Sequence, residues 1–167
     1  MGHLEDEIRY HVNKRQQWES FGGKPIALVW GIVVTLTPLG TLFRLGLPLL
    51  YGGGIFAHLT LVFLKKKPTI SFPVQILWLS GALIAFSIAY LLPWWGFFSN
   101  LAGHALSYLI WGGVIFYTGS IKARWWLVLS GMATVGIAVS LAVSLNGLVA
   151  GALFAICYFS ALTVTKN

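Results

Sequence analysis

Carboxylates are nearly missing from this chain. Glu5, Asp6, Glu7 and Glu19 are the whole set, and none follows residue 19. Charged residues of both signs make up 9% of the sequence and hydrophobic ones 57%, whereas a soluble domain carries about 25% charged residues. A soluble chain of 167 residues needs a charged surface, and this one has little to offer. Lipid must be the solvent for most of it. The same scarcity removes chemistry. With no acid in the apolar runs there is no carboxylate proton relay. The lone cysteine, Cys157, excludes an intramolecular disulfide and reads as a small buried apolar residue. No His-x-x-x-His spacing and no cysteine pair occur, so metal catalysis has no ligand set. Ser107 follows His104 by three residues, but no acid completes a nucleophilic constellation. These absences point away from an enzyme and require no metal or cofactor. The first 24 residues also lack the apolar run of a cleavable signal peptide.

What is present is basic charge, gathered in clusters between apolar runs, with a net charge of +7. Nucleic acid is excluded as the partner because the clusters do not share a folded face. They mark the ends of membrane helices. A spanning helix needs about 20 apolar residues. That length divides the chain into helices over 26–43, 46–64, 73–92, 101–119, 125–144 and 147–164, with Arg44, Gly46 and Pro48 breaking the first long run. The expected fold is an all-α integral membrane protein. Its six transmembrane helices form three hairpins (26–64, 73–119 and 125–164) within a domain over 25–167. Ten of the eleven Lys and Arg residues fall on one side of that arrangement, and Arg44 alone falls on the other. The charge asymmetry places the protein in the cytoplasmic (inner) membrane with both termini in the cytoplasm.

Trp94, Trp95, Phe97 and Phe98 cluster between the third and fourth helices, and Trp125 and Trp126 open the fifth. Trp94, Trp95, Trp125 and Trp126 read as interfacial anchors, because indole is apolar with one polar N–H. A ligand-facing aromatic lid over 93–98 is the alternative. Residues 1–24 form a separate cytoplasmic arm. Leu4, Ile8 and Val12 recur every four residues, and Glu5 pairs with Arg9 at the same spacing. The arm is expected to be an amphipathic helix that lies on the membrane or docks onto a partner protein.

Glycine supplies the repeat. Gly53-x-Ile55-Phe56 matches Gly113-x-Ile115-Phe116 and Gly151-x-Leu153-Phe154, and "LSG" occurs at 79–81 and 129–131. Gly31 precedes Gly53 by 22 residues, and Gly131 precedes Gly151 by 20. A hairpin used three times accounts for this. Between helices in lipid, contact comes from close packing, and small residues allow backbones to approach. Gly53, Gly81, Gly113, Gly131, Gly147 and Gly151 are therefore the expected packing residues, with Phe56, Phe116 and Phe154 beside the notches. The rival is that the notches line a pore or admit a flat pigment or sterol-like lipid.

The glycine-bearing hairpin repeat, with "WWLVLSG" opening the last pair at 125–131, resembles the HdeD-like acid-resistance membrane proteins. Those are small six-helix proteins built from two-helix repeats. The resemblance covers roughly residues 26–164 and implies a stress-related membrane protein, with no catalytic residues to carry over. The charged arm and the aromatic turn depart from that pattern.

Three ionisable groups at membrane depth are possible ligand or solute contacts: Arg44, His58 and His104. Arg44, at the outer turn, reaches headgroup phosphates or an anionic solute. His58 and His104 differ in depth by about 15 Å at 1.5 Å per residue, which excludes a haem held between them. Each either bonds a neighbouring helix or ligates a pigment or haem alone. The favoured reading is a non-enzymatic accessory or membrane-stress subunit. It is expected to assemble through glycine-rich faces with other membrane subunits or with itself, in contact with lipid and not with nucleic acid. A small channel for a neutral or anionic solute and a pigment- or haem-binding subunit using His58 are the alternatives.

Overall fold

A computed structural model describes residues 23–43, 45–64, 72–97, 99–121, 125–143 and 146–164. Among them every regular element is helical: α1 (Gly23–Gly40), α2 (Gly46–Leu64), α3 (from Phe72), α4 (Asn100–Ile121), α5 (Trp125–Val143) and α6 (Gly147–Val164). The expected arm at 1–24 falls almost wholly outside the described residues. Five helices are long and apolar enough to cross a membrane, and the apolar part of α1, Pro25–Gly40, is shorter. The chain is thus a membrane-embedded helical protein.

The helices are apolar all round, so each must satisfy its own backbone in lipid. Their hydroxyls follow the same rule. Thr37, Thr60, Thr118, Thr134 and Ser140 each donate to the carbonyl four residues back, at 2.7–2.9 Å. The ends are set locally. Pro48 does not break α2 but sits in its first turn, where its missing N–H is harmless. The turn before α2 is so tight that a side chain on Gly46 would overlap the Gly40 carbonyl. Ser99 caps α4 through Ala102 N–H (3.2 Å), and Asn146 caps α6 through Leu148 N–H (2.8 Å).

α3 extends further than the expected 73–92, and not uniformly. An α-helix over Phe72–Phe86 passes into a π turn over Ser87–Leu91 and then a final turn, Leu92–Trp94. Pro93 follows the π turn and cannot donate to Ala89. Gly96, with φ of 76°, then reverses the chain.

The six helices close into a ring in chain order, with α6 packed back on α1. Residue pairings show neighbours running antiparallel. Trp30 meets His58, Trp78 meets Thr118, and Gly151 and Gly147 meet Thr35 and Pro38. The start of α1 and the end of α6 therefore share one end of the bundle. The closest-packed pair is α4 with α5, which come from different sequence-defined hairpins. Gly112, Gly119 and Gly131 make that approach possible. A Cβ on Gly131 would lie 2.6 Å from the Phe116 backbone nitrogen, and one on Gly119 would lie 2.7 Å from that of Val128.

Candidate functional site

Aromatic side chains fill the inside of the ring. Trp30, Tyr51, Trp78, Tyr108, Trp111, Phe154 and Tyr158 are all buried. Trp30 of α1 and Trp111 of α4 meet across the ring with centroids 5.2 Å apart, and Trp78 packs on Trp111 at 5.9 Å. Each polar tip finds a partner on another helix, as burial in lipid demands. Trp30 Nε1 donates to His58 Nδ1 (2.8 Å), Trp78 Nε1 to Thr118 Oγ1 (3.0 Å), and Trp111 Nε1 to the Tyr51 hydroxyl (3.3 Å). The Tyr51 and Thr37 hydroxyls are 3.4 Å apart. Thr37 commits its proton to the Val33 carbonyl at 2.8 Å, so Tyr51 is the donor of that pair. The chain of bonds runs Trp111, Tyr51, Thr37, Val33.

Two tyrosines use carbonyls of α1. Pro38 lies inside α1 and removes the usual N–H partner of the Val34 carbonyl. The Tyr108 hydroxyl of α4 takes that place at 3.3 Å. The Tyr158 hydroxyl of α6 donates to the Ala27 carbonyl at 2.9 Å. Its ring crosses α1 at Gly31, where a Cβ would come within 2.8 Å of Tyr158 Cδ1.

His58 belongs to this interior. Its side chain is fully enclosed, and because Nδ1 accepts from Trp30 the ring proton resides on Nε2, which has no protein partner. His58 lines none of the described cavities. His104 lies elsewhere, at the end of the bundle away from residues 23 and 164, in a cavity that also touches Pro38. Trp30 and Pro38 are eight residues apart on α1, about 12 Å along its axis. The two histidines accordingly serve different levels. No group of three His, Cys, Asp or Glu occurs among the described residues. Arg44 lies outside the described residues.

Two cavities share Thr41 and Asn100 at that far end. One, of about 280 Å³, lies against the π turn of α3 and includes Tyr90 and Trp94. The other, of about 310 Å³, opens between α1, α4 and α6 and includes His104 and Asn146. Trp94, Trp95, Trp125 and Trp126 are exposed, the first two at this end and the others at the opposite one.

The glycines divide in a way the repeat does not anticipate. Gly81 faces Val114 Cγ2 at 2.7 Å, Gly131 faces Phe116, Gly151 faces the Thr35 carbonyl at 2.8 Å, and Gly147 faces Pro38 at 3.5 Å. Gly53 and Gly113 do not pack against the other described residues. Both are exposed, and a Cβ on either would meet nothing within 4 Å. Their neighbours Gly54 and Gly112 hold the close contacts instead, with Val33 and Val135, each at 2.8 Å. The phenylalanines split likewise. Phe56 and Phe116 are 74% and 43% exposed, whereas Phe154 is enclosed. Gly52 and Gly136 join the outward set. On α2 the outward face reads Leu49, Gly52, Gly53, Phe56, Phe63, a notch between bulky residues.

No protein-family model matches the chain, and no curated protein or solved structure matches it.

Proposed function

We propose that the chain is a non-enzymatic accessory or structural subunit of a membrane assembly, held to other helices through outward glycine notches. The observation that carries this reading is the set Gly52, Gly53, Gly113 and Gly136, four exposed helix positions where a Cβ would touch nothing. Glycine inside a helix costs roughly 0.5–1 kcal/mol relative to alanine. Inside this bundle close packing offsets that cost, and at these four positions no contact among the described residues does. A second chain packing into the notch supplies the missing contact.

In this account all six helices cross the inner membrane as three hairpins, α1 included, since α1 packs between α2 and α6. Both termini face the cytoplasm with ten of the eleven basic residues. The resemblance to HdeD-like proteins supports a role in membrane stress. The aromatic filling between α1 and α4 argues against a conducting path through a single chain. The enclosure of His58 argues against a pigment ligand.

Leucine substitutions separate the two kinds of glycine. Gly53→Leu should reduce the assembled fraction extracted from native membranes without lowering the unfolding midpoint of the isolated chain. Gly54→Leu should lower that midpoint, because Trp30 and Val33 occupy the space. An assembled fraction unchanged by leucine at Gly53, Gly113 and Gly136 together would refute the proposal.

A further inference from the structure

The cavity of about 280 Å³ against the π turn of α3 combines aromatic rings with uncharged polar side chains at one end of the bundle. We infer that it is a carbohydrate site, binding one neutral pyranose ring.

Its aromatic wall is a ladder on α3. Phe86, Tyr90 and Trp94 recur every four residues. Ring centroids lie 5.3 Å apart from Phe86 to Tyr90 and 5.9 Å apart from Tyr90 to Trp94. Phe86 rests on Tyr51 of α2 at 5.5 Å, so the ladder is held from the interior. It emerges at Trp94, which is 56% exposed. Tyr90 and Trp94 both line the cavity, and Phe43 joins them from the turn between α1 and α2. The face of an aromatic ring is negative. The C–H side of a pyranose is apolar and faintly positive, and it stacks on such faces.

Sugar hydroxyls both donate and accept, and the polar wall offers both. Thr41 and Asn100 line the cavity and are exposed. Thr41 Oγ1 gives its proton to the Pro38 carbonyl (2.7 Å), which leaves its oxygen as an acceptor. The Asn100 side-chain amide has no partner among the described residues and supplies two N–H donors and a carbonyl acceptor. None of the described residues lining the cavity is charged. No carboxylate occurs in the chain after Glu19, so a cationic ligand would meet no counter-charge. Pockets for drug-sized ligands begin at about 300 Å³, and this smaller one suits a single ring. Exposed tryptophan marks the headgroup level, where either a free sugar or the sugar headgroup of a lipid can reach the site. The cavity is separate from the glycine notches, so it does not depend on the assembly reading.

The full chain, purified in a detergent without a sugar headgroup, provides the test. Glucose is titrated in one arm and followed by saturation-transfer NMR, with sorbitol as the open-chain polyol control and glucuronate as the anionic counterpart that Arg44, next to Phe43 in the sequence, would favour. Monoglucosyl diacylglycerol is added in the other arm, and retained lipid is counted by native mass spectrometry against diacylglycerol. Trp94→Ala is the decisive variant. Trp95→Ala, which removes an exposed ring outside the cavity, is its control. The expected result is saturable binding of the glucosyl group in at least one arm, weakened roughly tenfold by Trp94→Ala, weakened also by Asn100→Leu, and unchanged by Trp95→Ala. Binding of free glucose assigns the site to a solute, and binding of the glucosyl lipid alone assigns it to a headgroup. No binding in either arm, equal binding of sorbitol, tighter binding of glucuronate, or equal binding by Trp94→Ala and wild type overturns the inference.

Discussion

Replacing Gly131 with alanine should loosen the close contact between α4 and α5. A Cβ there would lie 2.6–2.7 Å from the backbone nitrogen, Cα and Cβ of Phe116. Carbon atoms at rest sit about 3.5–4.0 Å apart, so α4 must retreat by roughly 1 Å. Two of the three blocking atoms are backbone, and no rotamer change relieves them. Overpacking of this kind costs typically 1–3 kcal/mol, while alanine returns up to about 1 kcal/mol of helix propensity. The net expectation is a loss of about 1–2 kcal/mol. Gly113→Ala is the matched control on the partner helix. It meets nothing within 4 Å, so only the propensity gain of about 0.5–1 kcal/mol remains. Reversible unfolding of both variants in mixed micelles, followed by tryptophan fluorescence, measures the difference. Equal stabilities for Gly131→Ala and Gly113→Ala would refute the packing argument.

Three further outcomes follow from the interior. Trp30→Phe removes the donor to His58 Nδ1 and leaves a buried ring with neither nitrogen paired, at a cost of about 1–3 kcal/mol in the same unfolding assay. Tyr108→Phe removes the donor that replaces the N–H missing at Pro38. Its cost of about 1 kcal/mol should shrink in a Pro38→Ala background, and a double-mutant cycle with no coupling would sink that assignment. Ser130, whose hydroxyl is buried without a partner beside a cavity of about 250 Å³ between α5 and α6, should tolerate alanine with no loss of stability, since no bond is broken.

Much of the fold could be read from the sequence because lipid imposes a simple rule. Apolar runs bounded by Lys, Pro and Asn-Gly place α2 and α6 where they are found, at Gly46–Leu64 and Gly147–Val164. Rise per residue was enough to separate His58 from His104 in depth. Rotation about the helix axis was not legible. In a helix that is apolar on every side no pattern marks the inner face, and adjacent residues differ by about 100°. Gly53 and Gly54 therefore look alike in sequence and point in different directions. The repeated motif has the same consequence: Gly113 and Gly151 align in sequence, yet one faces outward and the other faces α1. The π turn at Ser87–Leu91 carries no signature in "SIAYL". It becomes intelligible only beside Pro93 and Gly103, where a Cβ would meet the Ile88 carbonyl at 2.8 Å. The Trp30–His58 bond likewise joins residues 28 apart and depends on how α1 meets α2.

Extraction of the untagged chain from its native membrane under gentle conditions, followed by native mass spectrometry, tests the central claim most directly. The account predicts a species heavier than the 18.3 kDa chain, with partner chains or further copies in fixed ratio, and its loss on Gly53→Leu. A lone chain of 18.3 kDa carrying only lipid would contradict it.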